Sequence, residues 1–542
     1  MKKRAWLVSV VAMALIVSGC AKATNSGSGT TATTGSGPTT TVAPQNGGTL
    51  NIGLNAETDG WDPVTSEWAA AGYFVAQTFF DPLCAYDSDG VAVPYLAKSL
   101  THSTNYMTWT IGLRPNIKFS NGQPLNAAAV ALQLTLGKAS ALVGQALLPM
   151  VKAVATNNLT VKVTMSEPWV AFPAALASQA GYVAAPAQLQ SKTTSTTQPI
   201  GSGPYIFVQW TPGGTLTVKK NPNYWRPGVA HVDQIVFHVY VDPTTEYQTL
   251  TSNELNFMYT AEASQIKQLQ SQTTYQYFLQ YLDVPVFIML NTDAAPLNNL
   301  KLRQALEYAT SQQQLNTEID LGLGSVVTEP YGPKSKWYVP SGYPESPNLK
   351  TAEADVAAYH SETHTSGPVK FTLGCTDSGT NPQAMRLVEA QWQKVGIDVT
   401  LSYTEQATYI NNAIFGSYQA NCWTQFGDID PDIDATWWLS QNAHPDGAVA
   451  LNFARLSDTI TDTQLQIGRE NPSFAARKAA YGNVWKQFTA EAPYIWLGRG
   501  PNALVSAPNT HGLGDMVFPN GQKQDTLNSD ATPWIDQLWL SG

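Results

Sequence analysis

From Gly48 onward, apolar and polar positions follow two periods that trade places along the chain. Met107, Trp109, Ile111 and Leu113 alternate with polar neighbours, which predicts a strand buried on one face. Leu159, Val161, Val163 and Met165 repeat that alternation, and Val369, Phe371 and Leu373 give a third strand. Beyond Asn381-Pro382 the spacing lengthens, and Met385, Val388, Trp392 and Val395 fall on one stripe of a helix. Gly396 ends it, and Ile397, Val399 and Leu401 open another strand. Strand, helix and strand in that order require a parallel sheet. A second amphipathic helix follows Ser473, with Phe474, Tyr481, Trp485 and Phe488 turned inward. The elements alternate without a repeat period, so the pattern predicts an α/β fold in more than one lobe.

The first residues follow a different logic. Lys2, Lys3 and Arg4 precede an apolar run from Ala5 to Val17, too short to span a bilayer comfortably and shaped like a secretory leader. The run ends at Val17-Ser18-Gly19-Cys20, which is similar to a bacterial lipobox, the motif whose cysteine carries a lipid after cleavage. An ordinary signal peptide that ends at a cysteine is the alternative. Residues 1–19 are therefore expected to be a signal peptide, with Cys20 lipidated. Residues 21–47, rich in Gly, Ser, Thr, Ala and Pro and free of aromatic side chains, should form a flexible tether. A chain of that kind holds its domain roughly 30 Å from the anchor.

Composition narrows the function. Of 542 residues, 43% are hydrophobic and only 13% are charged, against a usual charged share of about 25%. The net charge of −10 offers no basic field for phosphate backbones, which excludes nucleic acid as a partner. After residue 19 no stretch of about 18 apolar residues occurs, which excludes a multispanning membrane protein. Four cysteines are present, Cys20, Cys84, Cys375 and Cys422. Cys375 and Cys422 each lie near the end of a predicted strand in one region, so a bridge between them is expected, with Cys84 a buried thiol. Sequence alone leaves that pairing open.

An ordered series of segments resembles the family 5 extracellular solute-binding proteins of ABC importers, which include oligopeptide-, dipeptide- and nickel-binding proteins. The series begins with Gly47-Gly48-Thr49-Leu50-Asn51-Ile52 and Trp61-Asp62-Pro63. It continues through Phe80-Asp81-Pro82-Leu83 and Val93-Pro94-Tyr95-Leu96-Ala97. Leu113-Arg114-Pro115 and Lys118-Phe119-Ser120-Asn121-Gly122-Gln123-Pro124-Leu125 follow, then Gly201-Ser202-Gly203-Pro204-Tyr205 and Asn221-Pro222-Asn223-Tyr224-Trp225. Leu302-Arg303-Gln304-Ala305-Leu306 and Ala492-Pro493-Tyr494-Ile495 complete it. Each segment alone is weak; their order is specific. Two departures stand out: Asn126-Ala127-Ala128-Ala129 and Thr310-Ser311-Gln312-Gln313 replace charged pairs common in the family.

The resemblance implies a two-lobed clamp of the class II periplasmic-binding type, with an extra inserted domain and a two-strand hinge. The first lobe is expected to combine residues 48–83, 200–288 and 505–542, with residues 84–199 inserted and packed on it. The second lobe is expected over residues 289–504. Ligand would lie between the lobes, and closure would shift an equilibrium that a membrane permease reads. The implied partners are a peptide or small-molecule ligand and an ABC permease with its ATPase. Membrane contact would run through the lipid anchor alone, and the receptor is expected to be a monomer with no cofactor.

In peptide-binding relatives an aspartate of the second lobe takes the peptide's α-ammonium, and Asp428 is its match in Cys422-Trp423-Thr424-Gln425-Phe426-Gly427-Asp428. The position three residues earlier, a Trp in those relatives, is Gln425, with Trp423 and Phe426 on either side. Glu67 and Trp68 are the corresponding candidates in the first lobe, and Trp496 is a further one. The alternating Asp428, Asp430, Asp432 and Asp434 suggest a calcium loop, but Ile433 and Leu439 stand where an EF-hand needs Gly and Glu.

Enzyme chemistry finds little support. No G-x-S-x-G elbow or P-loop occurs, and Asp377-Ser378-Gly379 lacks the second copy that aspartic-protease chemistry needs. His360 and His364 are four apart, but Ser361 breaks the H-E-x-x-H zinc pattern. The sequence predicts a binding protein without a metal site. Its solute is expected to be a peptide, with a nickel complex, a sugar or a sensor role as alternatives.

Overall fold

The computed structural model describes residues 43–279, 284–425, 427–526 and 532–542. Three main sheets organise it. A seven-stranded sheet runs in the order Gln276–Leu279, Ala503–Ser506, Phe257–Thr260, Thr49–Leu54, Gln234–Val239, Thr215–Lys220, Tyr205–Thr211. A five-stranded sheet runs Ile397–Thr404, Val369–Thr376, Ala420–Thr424, Val286–Leu290, Tyr494–Gly498. A four-stranded antiparallel sheet, Ala97–His102, Thr108–Leu113, Thr160–Met165 and Met150–Asn157, lies in the inserted region. The chain passes between the two larger sheets twice, after Leu279 and after Gly498. Two connections of that kind are what a hinged pair of lobes requires.

Local sequence explains these elements. Val369–Thr376 and Ile397–Thr404 pair in parallel, with Val369 opposite Ile397, and the helix Asn381–Gln393 joins them. Its stripe of Met385, Val388 and Trp392 is buried against Phe371, Leu373 and Ile397. The helix Phe474–Glu491 starts as expected, with the Ser473 side chain accepting from the Ala476 N–H, and ends at Ala492 in a left-handed conformation. Asn126 caps the helix Ala127–Ala139, its side chain accepting from the Ala129 N–H. Cys375 and Cys422 form a disulfide between adjacent strands of the five-stranded sheet, and Cys84 is a buried free thiol.

The landmark motifs converge on one buried carboxylate. Asp81 accepts hydrogen bonds from the Tyr224 hydroxyl (3.0 Å), the Trp225 indole (2.8 Å) and the Ser202 hydroxyl (2.8 Å). Burial, opposed in part by these three donors, leaves its carboxyl raised to about 6. Gly201 admits the close approach this knot needs, since a Cβ there would fall 1.8 Å from the Phe79 carbonyl oxygen. Segments more than a hundred residues apart are thus tied together by hydrogen bonds to a single charge.

The five-stranded sheet separates two cores. One face carries Ile288, Cys422 and Ile495 towards the helices Leu300–Ala309 and Asn381–Gln393. The other carries Phe287, Trp423 and Trp496, which are register neighbours, into an aromatic cluster with Tyr481, Trp485 and Phe488. Among the described residues no helix is long and apolar enough to cross a membrane.

Candidate functional site

The stretch 427–434 lies where the second lobe meets the inserted region. It follows the strand Ala420–Thr424 and leads into the short helix Pro431–Asp434, with Asp430 as N-cap and Pro431 at the first helical position. The Trp337 indole holds it from its own lobe by donating to the Ile429 carbonyl at 2.9 Å.

Each of the four alternating aspartates has a partner of its own. The Tyr86 hydroxyl, from the inserted region, donates to Asp428 Oδ1 at 3.3 Å. Burial, and after it the charge of Asp428, hold the Tyr86 hydroxyl well above its usual range, so it stays a donor. Asp430 makes a two-pronged pair with Arg477, at 2.5 and 3.0 Å. Asp432 accepts from the Trp169 indole at 2.6 Å and from Arg469 Nε at 3.0 Å. Asp434 Oδ2 accepts from the Tyr331 hydroxyl (2.6 Å) and from the Gly427 and Asp428 N–H groups (3.0 and 3.2 Å). Burial, then the charge of Asp428, raises the Asp434 carboxyl well above its usual range. The alternation therefore serves four different contacts. Among the described residues no group of three or more His, Cys, Asp or Glu is placed to hold a metal ion.

The other sequence candidates divide by lobe. Trp423 is half-buried, stacked on Tyr409 at 5.4 Å and edge-on to Phe453, and its indole donates to Gln425 Oε1 at 3.0 Å. Trp423, Gln425 and Asp428 thus share one stretch of the second lobe. Phe426 and Cys20 lie outside the described residues. Glu67 and Trp68 stand on the first lobe, in the loop after Thr49–Leu54. Burial, reinforced by Asp59, pushes the Glu67 carboxyl up to about 7. Trp68 packs against Tyr73, Phe80 and Tyr182, and its indole donates to the Gly60 carbonyl at 3.0 Å. Trp496 packs edge-on to Phe287 at 5.4 Å within the aromatic cluster of the second lobe. Core packing accounts for the burial of Trp68 and of Trp496.

Further contacts cross between the lobes. Lys336 donates to the Gly90 carbonyl at 3.2 Å. The Gln145 amide pairs with the backbone of Val449 and Leu451. Glu262 lies against the start of the helix Asn381–Gln393, where a Cβ at Gly379 would fall 2.2 Å from its Oε1, and the Thr380 N-cap makes no side-chain capping bond of its own. Tyr86, Trp169 and Glu262 did not stand out in the sequence, because their partners lie more than a hundred residues away. The available clue was the aspartate alternation itself: four carboxylates in seven residues each need a donor or a cation.

Two α/β lobes linked by two chain crossings, with charged and polar groups of both meeting in the cleft, define a solute-binding clamp. The chain belongs to the bacterial extracellular solute-binding proteins of family 5, whose middle-region model matches residues 91–446. It is 27% identical over 468 residues to the glutathione-binding protein GsiB of Pectobacterium atrosepticum, covering 82% of this chain and 87% of that one. The nickel-binding periplasmic protein of Escherichia coli K12 is also 27% identical, over 476 residues, with the same coverage. Among solved structures, the periplasmic binding protein DppA of Helicobacter pylori in complex with the peptide STSA superposes with a TM-score of 0.80 at 20% identity. The match covers 92% of this chain and 99% of that one. Proteins of this family are extracytoplasmic or periplasmic binding components that work with ABC permeases, not enzymes.

Proposed function

We propose that this chain is the lipid-anchored receptor of an ABC importer and that its solute is a peptide with a free α-ammonium. Cys20 would carry the lipid. Asp428 would face the ammonium, with Trp423, Gln425 and Phe426 beside it and Glu67 opposite. The reading rests on one observation: the Asp428 carboxylate is bonded across the cleft to Tyr86. A solute held there touches both lobes, so it binds the closed form more tightly than the open one and draws the clamp shut. A carboxylate facing an ammonium away from water also makes a bond stronger than a neutral one. Glutathione, named for one relative, is a tripeptide that meets this requirement. A nickel complex, suggested by the other relative, is the second reading.

Native mass spectrometry of the purified protein tests the proposal, because a closed clamp retains its solute. A bound mass that fragments into amino acids supports the peptide reading. A bound mass with a metal isotope pattern replaces it with the second.

A further inference from the structure

The residues that close the clamp are not all residues that can meet a solute. Segment 166–170 of the inserted region packs against the second lobe's helices Pro431–Asp434 and Thr459–Glu470. The Asp432 carboxylate is gripped from both lobes, by the Trp169 indole on Oδ2 at 2.6 Å and by Arg469 Nε on Oδ1 at 3.0 Å. Arg469 also reaches across the interface. Its Nη1 lies 3.5 Å from Glu167 Oε1, its guanidinium carbon stands 5.7 Å from the Trp169 ring centroid, and its carbonyl accepts from the Val170 N–H at 3.0 Å. Trp169, Asp432 and Arg469 are 1%, 3% and 6% exposed. A hydrogen bond to a charged acceptor screened from water is worth more than a surface pair. When the lobes separate, Trp169 and Glu167 leave their partners while Asp432 and Arg469 keep each other.

We infer that Glu167, Trp169, Asp432 and Arg469 form a latch that favours the closed arrangement whatever the solute. Only contacts that differ between two states can shift the balance between them, and these exist in the closed state alone. The latch sets a baseline for affinity, and the solute-facing side chains set selectivity on top of it. Asp430 and Arg477 supply an internal contrast, since their pair is at least as short but lies wholly within the second lobe. Breaking that pair changes the lobe and leaves the closing equilibrium alone.

The test measures lobe separation without any solute. Lys162→Cys and Lys394→Cys place spin labels on exposed sites of the inserted region and the second lobe. The native Cys84 is buried and stays unlabelled. Pulsed electron paramagnetic resonance on the full chain, dialysed free of solute, then gives the distribution of distances. Trp169→Phe and Asp432→Asn should each lower the closed-to-open ratio by about tenfold, the loss expected for one hydrogen bond to a charged group. Asp430→Asn should leave the ratio unchanged. Circular dichroism melts confirm that each variant folds, and if Trp169→Phe does not, Asp432→Asn and Glu167→Gln decide the matter. The latch is overturned if the unmutated chain shows no closed population, if the latch variants keep its distribution, or if Asp430→Asn shifts it equally.

Discussion

Asp434 holds the turn that carries Asp428, through the Gly427 and Asp428 N–H groups at 3.0 and 3.2 Å from its Oδ2. It is 4% exposed, and it governs the direction of Asp428 through the backbone. Asp434→Ala would free both N–H groups and leave the Tyr331 hydroxyl without its acceptor. Affinity for a free-amine tripeptide is then expected to fall more than tenfold, with a stability loss of roughly 1–3 kcal/mol for each group left unsatisfied. Asp434→Asn keeps an acceptor oxygen and should recover much of the affinity. Calorimetric titration beside urea unfolding separates the two effects, and equal affinity in all three proteins would remove Asp434 from the site.

Asp428 itself offers a sharper contrast. Asp428→Asn keeps the size and the hydrogen-bonding shape of the side chain but removes its charge. Binding of a free-amine tripeptide should weaken well over tenfold, because the lost partner of the ammonium is an ion in a cleft screened from water. The same peptide with its amine acetylated should bind both proteins alike. Equal losses for the two peptides would falsify the ammonium role.

The disulfide closes a loop of 47 residues in the second lobe, since Cys375 and Cys422 are that far apart in sequence. Removing it with Cys375→Ser and Cys422→Ser should cost about 2–4 kcal/mol, mainly by releasing the unfolded chain. Urea unfolding, followed by the fluorescence of the tryptophans around the sheet, measures the loss. Cys84 should resist thiol reagents until the protein unfolds, because burial raises its thiol well above the usual range and keeps it protonated. Rapid labelling of Cys84 in the folded protein would contradict the packing described for it.

What the sequence disclosed and what it concealed follow from the range of the forces involved. The strand–helix–strand unit from Val369 to Thr404 was legible because its periods are local, set by which positions face one core. The landmark motifs were legible as a family pattern, but their convergence on Asp81 was not, because Ser202 and Trp225 reach it from 121 and 144 residues away. The same limit applies to the site. Asp428 stood out through its motif, whereas Tyr86 and Trp169 meet their aspartates across 342 and 263 residues. Trp68 and Trp496 show a different limit, since a tryptophan's sequence neighbourhood does not tell a ligand platform from a core side chain. The alternating aspartates resemble a calcium loop that Ile433 and Leu439 already argue against, and the fold gives each carboxylate a separate partner.

Glu246 lies outside the cleft chemistry and sets a pH limit on the fold. It is 2% exposed, and its Oε1 has no hydrogen-bond partner. It presses on Gly53, where a Cβ would fall 2.2 Å from that oxygen. Burial pushes its carboxyl from 4.5 up to about 8. The folded state therefore keeps a proton that the unfolded chain releases. Below pH 4.5 both states are protonated and Glu246 carries no penalty. As the pH rises towards 8 the unfolded chain ionises first, and stability declines steadily; above 8 both states are ionised and the loss stays constant. Glu246→Gln keeps the shape without the titrating proton. Its unfolding free energy should match the parent's near pH 4.5 and exceed it by a few kcal/mol at pH 8. Urea unfolding across that range supplies the check. Parallel curves for the two proteins would show that the Glu246 carboxyl is not held neutral by the fold.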